Sequence, residues 1–263
     1  MYVKPKKALG QHFLTDDTIA HDIAGLLSGH GGYTNVLEIG PGTGVLTKFL
    51  LPNPAFTTHA VELDKESVVY LNKHFPQLRD RLTEGDFLHL KPADYLPNLP
   101  DSEPFAIAGN FPYNISSQIF FTVLDYRDRI PEVVGMLQRE VAMRLASPPG
   151  KKDYGILSVF LQAWYDVKYE FTVPPHVFDP PPKVQSGVIS VRRNTRTDLG
   201  CNERKFMQVV KYGFNQRRKT LRNALKPLGI TEAAATSAFM DKRAEQLSVE
   251  EFVQLTNLMS SAG

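Results

Sequence analysis

The chain has 263 residues, 42% hydrophobic and 22% charged, enough for one large domain or two modest ones with a real core, and this composition excludes a disordered chain. The lone cysteine, Cys201, excludes an internal disulfide and a cysteine-rich zinc site, so no metal is expected. A basic start (MYVKPKKALGQHFL) without a secretory apolar core, and no run of about 18 apolar residues, point to a cytoplasmic chain with no membrane segment.

In chain order, residues 35–39 (NVLEI) read as a buried strand, followed by a glycine cluster and a helical pattern at 45–51. Residues 57–63 (TTHAVEL) read as the next strand, and 65–75 put Val68, Leu71 and Phe75 on one helical face. Apolar runs at 105–108 and 133–137 supply two more strands, with a helix at 118–124 between them. Strand, helix and strand in series imply a parallel sheet with crossovers. After the surface loop expected at 147–154 (SPPGKKDY), which reads as mobile, residues 156–164, 167–173 and 187–191 look β-like and are expected to add an antiparallel edge. Beyond Thr195 the β signals stop. Helices are expected at 203–215, 219–225, 231–240 and 249–259, so the predicted division is an α/β domain over 1–195 and a smaller all-helical domain over 196–263.

Three acidic positions follow successive strands. The first, Glu38, opens EIGPGTG at 38–44, a glycine turn between strand and helix that allows close ligand approach. Its G-x-G-x-G spacing differs from the dinucleotide G-x-G-x-x-G, and no phosphate-binding GK[ST] follows, which disfavours NAD and ATP. The second, Glu62, ends the next strand, where a carboxylate can accept both hydrogen bonds of a ribose diol. The third, Asp86 in EGDFL, is suited to an adenine amino group, with Phe87 packing near the base. Each signal alone is weak, and a glycine turn is often structural. A ligand with a ribose and an adenine but no phosphate is S-adenosylmethionine.

EIGPGTG, VELD, EGDFL and NFPY, with GQHFL at 10–14, FDPPPKVQS at 178–186 and FNQRRKTLR at 214–222, resemble the KsgA (RsmA) family of rRNA adenine dimethyltransferases, which is related to the erythromycin-resistance methyltransferases. The resemblance covers nearly the whole chain. It implies a seven-stranded Rossmann-like methyltransferase domain with a helical C-terminal domain, S-adenosylmethionine as donor, and two adjacent adenosines near the 3′ end of small-subunit rRNA as acceptors. It also implies cofactor contacts by His12, Leu14, Glu38, Gly40, Gly42, Glu62, Asp86, Phe87 and Asn110. The expected partner is rRNA in a pre-ribosomal particle, met by a monomer. Two positions depart from the commoner GQNFL and NLPY: His12 and Phe111. An imidazole can still hydrogen-bond near the cofactor's methionine portion, and Phe for Leu is an apolar exchange.

The turn GNFPYNIS at 109–116 ends an apolar strand in an amide and a proline between two aromatics. A strand that merely turned back would use glycine, aspartate or serine. Adenine's exocyclic nitrogen is a poor nucleophile because its lone pair is delocalised, so a catalyst must favour the pyramidal form. The Asn110 carbonyl and the Phe111 or Pro112 backbone carbonyl are candidate acceptors for its hydrogens. Tyr113 is expected to stack on the base and Phe178 to cover its other face. Alone, Tyr113 would read as a core aromatic.

The charge of +2 is unevenly spread: Arg192, Arg193, Arg196, Arg204, Lys205, Lys211, Arg217, Arg218, Lys219, Arg222 and Lys226 face only Asp198 and Glu203 over that stretch. Such a run on a solvated helical face needs no ligand. Beside a cofactor motif it reads as an RNA surface, with Arg217, Arg218, Lys219 and Arg222 at phosphates. Two alternatives stay open: an NAD-dependent oxidoreductase on the same sheet, and an RNA-binding ribosome assembly factor with little or no catalysis.

Overall fold

The computed structural model describes residues 3–260. It divides into two compact units, Met1–Ala142 with Asp166–Arg193, and Met143–Tyr165 with Asn194–Gly263. The sequence reading sets a single boundary at residue 195. Residues 143–165, assigned there to the sheet domain, instead pack within the second unit.

The strands, in chain order, are β1 (Phe13–Leu14), β2 (Asn35–Ile39), β3 (Thr57–Glu62), β4 (Leu82–Glu84), β5 (Ala106–Asn110), β6 (Glu132–Gln138), β7 (Tyr165–Val173), β8 (Phe178–Asp179) and β9 (Ser186–Arg193). Seven form one sheet in the order β4-β3-β2-β5-β6-β9-β7, and β1 pairs with β8. Strands β4 to β6 along that order are parallel, while β9 runs antiparallel to β6. The Val, Ile and Ala side chains of β2, β5 and β6 are almost wholly buried, as expected for parallel strands covered on both faces. Helices α1 (Asp17–Gly25) and α2 (Thr47–Leu50) share a core with Val36, Ala106, Val134 and Met136. The other helices begun in this unit are α3 (Lys65–His74), α4 (Pro92–Tyr95), α5 (Ser116–Asp125) and α6 (Arg139–Ala146). Asp16 caps α1 by accepting from the Thr18 and Ile19 amides, and Asp64 caps α3 through the Glu66 amide, each satisfying donors that a helix start leaves unpaired.

Strand order reverses between β2 and β5: from β2 the sheet grows one way to β3 and β4, and the other way to β5 and β6. The chain leaves the sheet at that point through Gly40 and Phe111. A crevice outside the carboxyl ends of the strands forms at such a reversal. Phe111 is 1% exposed, and its ring fits because Gly135 and Gly109 carry no Cβ; one added at Gly135 would lie 2.2 Å from the ring. An edge-on contact with Phe120, 6.0 Å between centroids, completes its packing. The larger aromatic at this departure is thus absorbed without opening the core.

The second unit contains α7 (Ile156–Gln162), α8 (Glu203–Asn215), α9 (Leu221–Ala224), α10 (Glu232–Ala235) and α11 (Val249–Met259). Residues 156–164, expected to be a strand, form α7 instead. Their apolar stretch, interrupted only at Ser158 and Gln162, does not distinguish the two states by period. Ser158 decides locally, its Oγ accepting from the Gly155 amide at the helix start and donating to the Arg144 carbonyl. Residues 231–240, expected as one helix, break after α10, where the Ser237 hydroxyl takes the Phe239 amide and a 3-10 turn (Ala238–Asp241) follows. Asn202 caps α8, and Ser248 and Glu251 form a reciprocal capping box on α11. The two helices meet through Phe214 on α8 and Phe252 on α11, 6.0 Å between ring centroids, while Phe206 of α8 lies against Phe160 of α7. Among the described residues, no helix is long and apolar enough to cross a membrane.

Candidate active site

A cavity of about 180 Å³ opens where the parallel strands end. Four of those strands, β2 to β5, send residues to its wall: Gly40 after β2, Glu62 and Leu63 at the end of β3, Gly85 and Asp86 after β4, and Asn110 to Tyr113 at and after β5. Residues 9–13 form the remaining wall. The position follows from the topology, while the chemistry comes from what the loops carry.

Gly40 and Gly42 take positive φ, 65° and 58°, a conformation that costs other residues dearly. At Gly42 space is short as well, since a Cβ would lie 2.8 Å from the Phe13 ring. The Gly42 amide points at Glu62 Oε2, 2.9 Å away, and the Asp64 amide donates to Glu62 Oε1 at 2.8 Å. Glu62 is 4% exposed, and burial raises its pKa, opposed by these amide bonds. Glu62 therefore fixes the glycine turn as well as facing the cavity, and each oxygen keeps a second lone pair. Asp86 accepts from the Leu88 amide and contacts the His89 ring, while Phe87, 3% exposed, packs beside Tyr95.

Asn110 directs its Nδ2 to the His12 carbonyl at 3.0 Å. That bond leaves its Oδ1, the acceptor, without a protein donor among the described residues. Tyr113 is held from two sides: its hydroxyl bonds the buried Ser186 Oγ, and the His12 ring lies 5.2 Å from its own at 33°. Burial raises the phenol's pKa, which keeps it neutral. His12 Nδ1 lies 2.8 Å from the Pro180 carbonyl, a pure acceptor, so that nitrogen carries the proton.

Three of the residues singled out from sequence lie off this wall. Glu38 and Leu14 line a second cavity of about 30 Å³ with Gly40 and Asn110. Glu38 is 1% exposed and accepts from the Thr47 hydroxyl at 2.6 Å; burial pushes its pKa up to about 8, against that hydrogen bond and with help from the Glu62 charge. Phe178 lines neither cavity. It pairs with Leu14 between β8 and β1 and sits 3% exposed in the core, so the expected cover for a base's second face is not presented there. His12, Gly40, Gly42, Glu62, Asp86, Phe87, Asn110, Pro112 and Tyr113 do come together.

The sequence reading missed how the wall at 9–13 is held. Lys6 reaches Asp64 and Glu66, and Gln11 also bonds Asp64. Burial raises the Asp64 pKa, but bonds from Lys6 and Gln11 outweigh it and bring it below its ordinary value. Gly10, at φ 63°, approaches Asn114 so closely that a Cβ would lie 2.7 Å from its Oδ1. The GQHFL motif marked this segment, but nothing in its spacing named Asp64 as the anchor.

In the second unit the four expected RNA cations divide. Arg217 bonds Glu245 at 2.6 Å and the carbonyls of Lys152 and Tyr154, the latter at 3.0 Å. Arg222 bonds Asp241 and the Ala235 carbonyl, both at 3.0 Å. These two guanidiniums brace their own fold, and Arg217 ties down the loop at 147–154 that reads as mobile from sequence. Arg218 and Lys219, in the turn between α8 and α9, are exposed and have no side-chain partner among the described residues.

The ribosomal RNA adenine dimethylase family matches over residues 3–261. The chain belongs to that family. Relatives include the ribosomal RNA small subunit methyltransferase A of Cytophaga hutchinsonii, 59% identical with 98% of each chain covered, and that of Porphyromonas gingivalis (strain ATCC 33277), 56% identical over 98% of this chain and 99% of the relative. Among solved structures, a dimethyladenosine transferase from Plasmodium falciparum superposes with a TM-score of 0.75 at 23% identity, covering 93% of this chain and 96% of that one. The 23S rRNA methyltransferase ErmE gives 0.69 at 22%, covering 94% and 99%. These two show the same fold, the Rossmann-like α/β methyltransferase architecture with its mixed seven-stranded sheet. The Phe111 ring is accommodated by the missing Cβ atoms of Gly135 and Gly109, and His12 is tethered to the Pro180 carbonyl.

The wall suits an S-adenosylmethionine-type ligand. It presents two carboxylates, Glu62 and Asp86, and no Lys or Arg among its lining residues. A cationic nucleoside is favoured by such a wall, whereas a pyrophosphate would meet repulsion.

Proposed function

We propose that this chain dimethylates the N6 amino groups of two adjacent adenosines near the 3′ end of small-subunit rRNA, with S-adenosylmethionine as donor, acting as a cytoplasmic monomer on a pre-ribosomal particle. The observation that carries this reading is the meeting of Asn110, Pro112 and Tyr113 with Glu62 and Asp86 around one cavity. The relatives' name, ribosomal RNA small subunit methyltransferase A, supports it.

Bound S-adenosylmethionine supplies a methyl group on a cationic sulfur. Glu62 accepts the ribose hydroxyls on the lone pairs its backbone donors leave free, Asp86 takes the adenine amino group and Phe87 backs the base. Gly40 and Gly42 leave room at the turn, and Leu14 and Glu38 support it from behind. His12 serves the amino-acid portion beside Gln11. Asn110 Oδ1, oriented by the bond to the His12 carbonyl, accepts one hydrogen of the target amino group. The Pro112 carbonyl already takes the Ile115 amide at 3.2 Å and retains a lone pair for the other. The nitrogen lone pair is thereby withdrawn from the ring and aimed at the electrophile. Tyr113, fixed by Ser186 and His12, is the stacking face, and Phe178 joins it only by leaving its core position. No strong base is required, because the methylated ammonium is acidic and gives its proton to water. Holding the reactants in line supplies much of the acceleration. The 1–195 region carries this chemistry, and the helical 196–263 region contacts RNA through Arg218 and Lys219, with Arg217 and Arg222 positioning that turn.

Incubating small-subunit particles that carry unmodified RNA with the protein and labelled S-adenosylmethionine, then mapping that RNA by mass, tests the proposal. Two adjacent dimethyladenosines near the 3′ end are expected. RNA that is bound but carries no label would return the chain to an assembly factor without catalysis.

A further inference from the structure

Helix α8 is sharply two-sided. Phe206, Val209, Val210 and Gly213 are buried. At 100° per residue the opposite face is centred on Arg204, Gln208, Lys211 and Asn215, all exposed. This central row has two cations, two amides and no acid. Solvated helix faces ordinarily mix charges and form i,i+4 pairs, yet none of these four side chains has a hydrogen-bond or ion-pair partner among the described residues. The chain as a whole is nearly balanced, 30 basic residues against 28 acidic, so an acid-free row is a local departure from its composition. Two large apolar side chains flank the row, Met207 at 41% and Tyr212 at 38% exposure. At the helix end the row runs into the turn carrying Arg218 and Lys219.

We propose that the exposed face of α8, from Arg204 through Lys211 and Tyr212 to the 218–219 turn, is an RNA-docking surface; the inference rests on the rRNA-methyltransferase reading and names where that RNA is held. Arg204 and Lys211, about 10 Å apart along the helix, meet successive stretches of phosphate. Gln208 and Asn215 offer both donors and acceptors to sugar and base edges. Tyr212 gives a splayed base a ring to stack on, as RNA recognition commonly uses. A protein partner with an acidic face would also meet the cations, but the row holds no apolar centre for a protein core to cover, since its apolar groups lie at the edges.

The test measures binding of in-vitro-transcribed bacterial small-subunit rRNA across a salt series, for the parent, Arg204→Gln/Lys211→Gln and Tyr212→Ala. The double variant is expected to bind about tenfold more weakly at low salt and to flatten the log–log salt slope by about 1.4 to 1.8, as loss of two phosphate contacts predicts. Tyr212→Ala is expected to weaken binding at every salt concentration with an unchanged slope, and Tyr212→Phe to restore it. Cofactor affinity and melting temperature, measured alongside, should match the parent. A parent that binds RNA while both variants bind it equally well overturns the docking face and leaves the methyltransferase reading standing. A parent that neither binds RNA nor transfers methyl to it overturns the underlying reading. Variants that bind naked RNA normally but lose affinity for small-subunit particles also overturn the proposal, assigning the face to a protein.

Discussion

At the scale of single residues, the roles proposed for Asn110 and Glu62 differ, so their substitutions should differ in kind. Asn110→Ala removes the acceptor at the reacting amino group while Glu62 and Asp86 remain, so single-turnover methylation at saturating cofactor and RNA should fall by about 10²–10³. A near-normal rate under saturation would refute the orienting role. Glu62→Gln keeps one oxygen but turns an acceptor into a donor, facing either the Gly42 or the Asp64 amide. Cofactor binding by calorimetry should weaken by about 1.5–3 kcal/mol, and unchanged affinity in a folded variant would remove Glu62 from the ribose. Both residues were legible in sequence because a lone amide or acid at a strand end is chemically conspicuous. The backbone bonds of Glu62 were not, since amides donate from any residue type. Phe178 shows the limit from the other side: an aromatic in a proline-rich loop reads the same whether it faces a ligand or a core.

Elements built on a strong period came through the sequence well, and those without one did not. Strand β2 was read residue for residue, and α8 and α11 lie where their apolar spacing puts them. Helix α7 is hard to tell from a strand because Ile156 to Leu161 is apolar but for Ser158, and that serine helps fix its state through a contact with a residue fourteen positions earlier. The basic stretch is legible only in part, since charge in sequence does not say which guanidinium has already found a carbonyl. A prediction follows for the α8–α9 turn. Arg217→Gln should cost about 1–2 kcal/mol of stability, discounted for its partial exposure, and should leave the RNA salt slope near that of the parent. Neutralising Arg218 and Lys219 together should do the reverse, flattening the slope with little change in melting. Equal slopes for that pair and the parent would reduce the turn to a solvated surface.

Across the whole molecule, buried carboxyls pull stability in opposite directions with pH. Glu132, 0% exposed, accepts from Ser28, Tyr33 and Arg192; burial opposes its ionisation, but those bonds prevail and its pKa lies below the ordinary value. Its contribution is present above the unfolded pKa and is lost as pH falls through the folded one. Glu38 has the opposite sign: raised to about 8 by burial, it favours the folded state most below its unfolded pKa, and that contribution is lost as pH rises toward 8. The parent should therefore be most stable at mildly acidic pH, and Glu38→Gln should flatten the decline between pH 5 and 8. A melting-temperature series that declines equally in both proteins would remove Glu38 from that role. The pairing of β1 with β8 bears on how the protein is made. His12 and Pro180, in contact across 168 positions of sequence, leave the ribosome far apart in time: at about 5–20 residues per second, the second emerges roughly 10–30 s after the first. The glycine turn and both cavity carboxylates are synthesised well inside that interval, so a nascent chain carries most of a cofactor pocket with its N-terminal wall still lacking its tether. Tight cofactor capture belongs to a chain more than two-thirds made, and an arrested chain ending before β8 would hold its ligand with an unfinished lid.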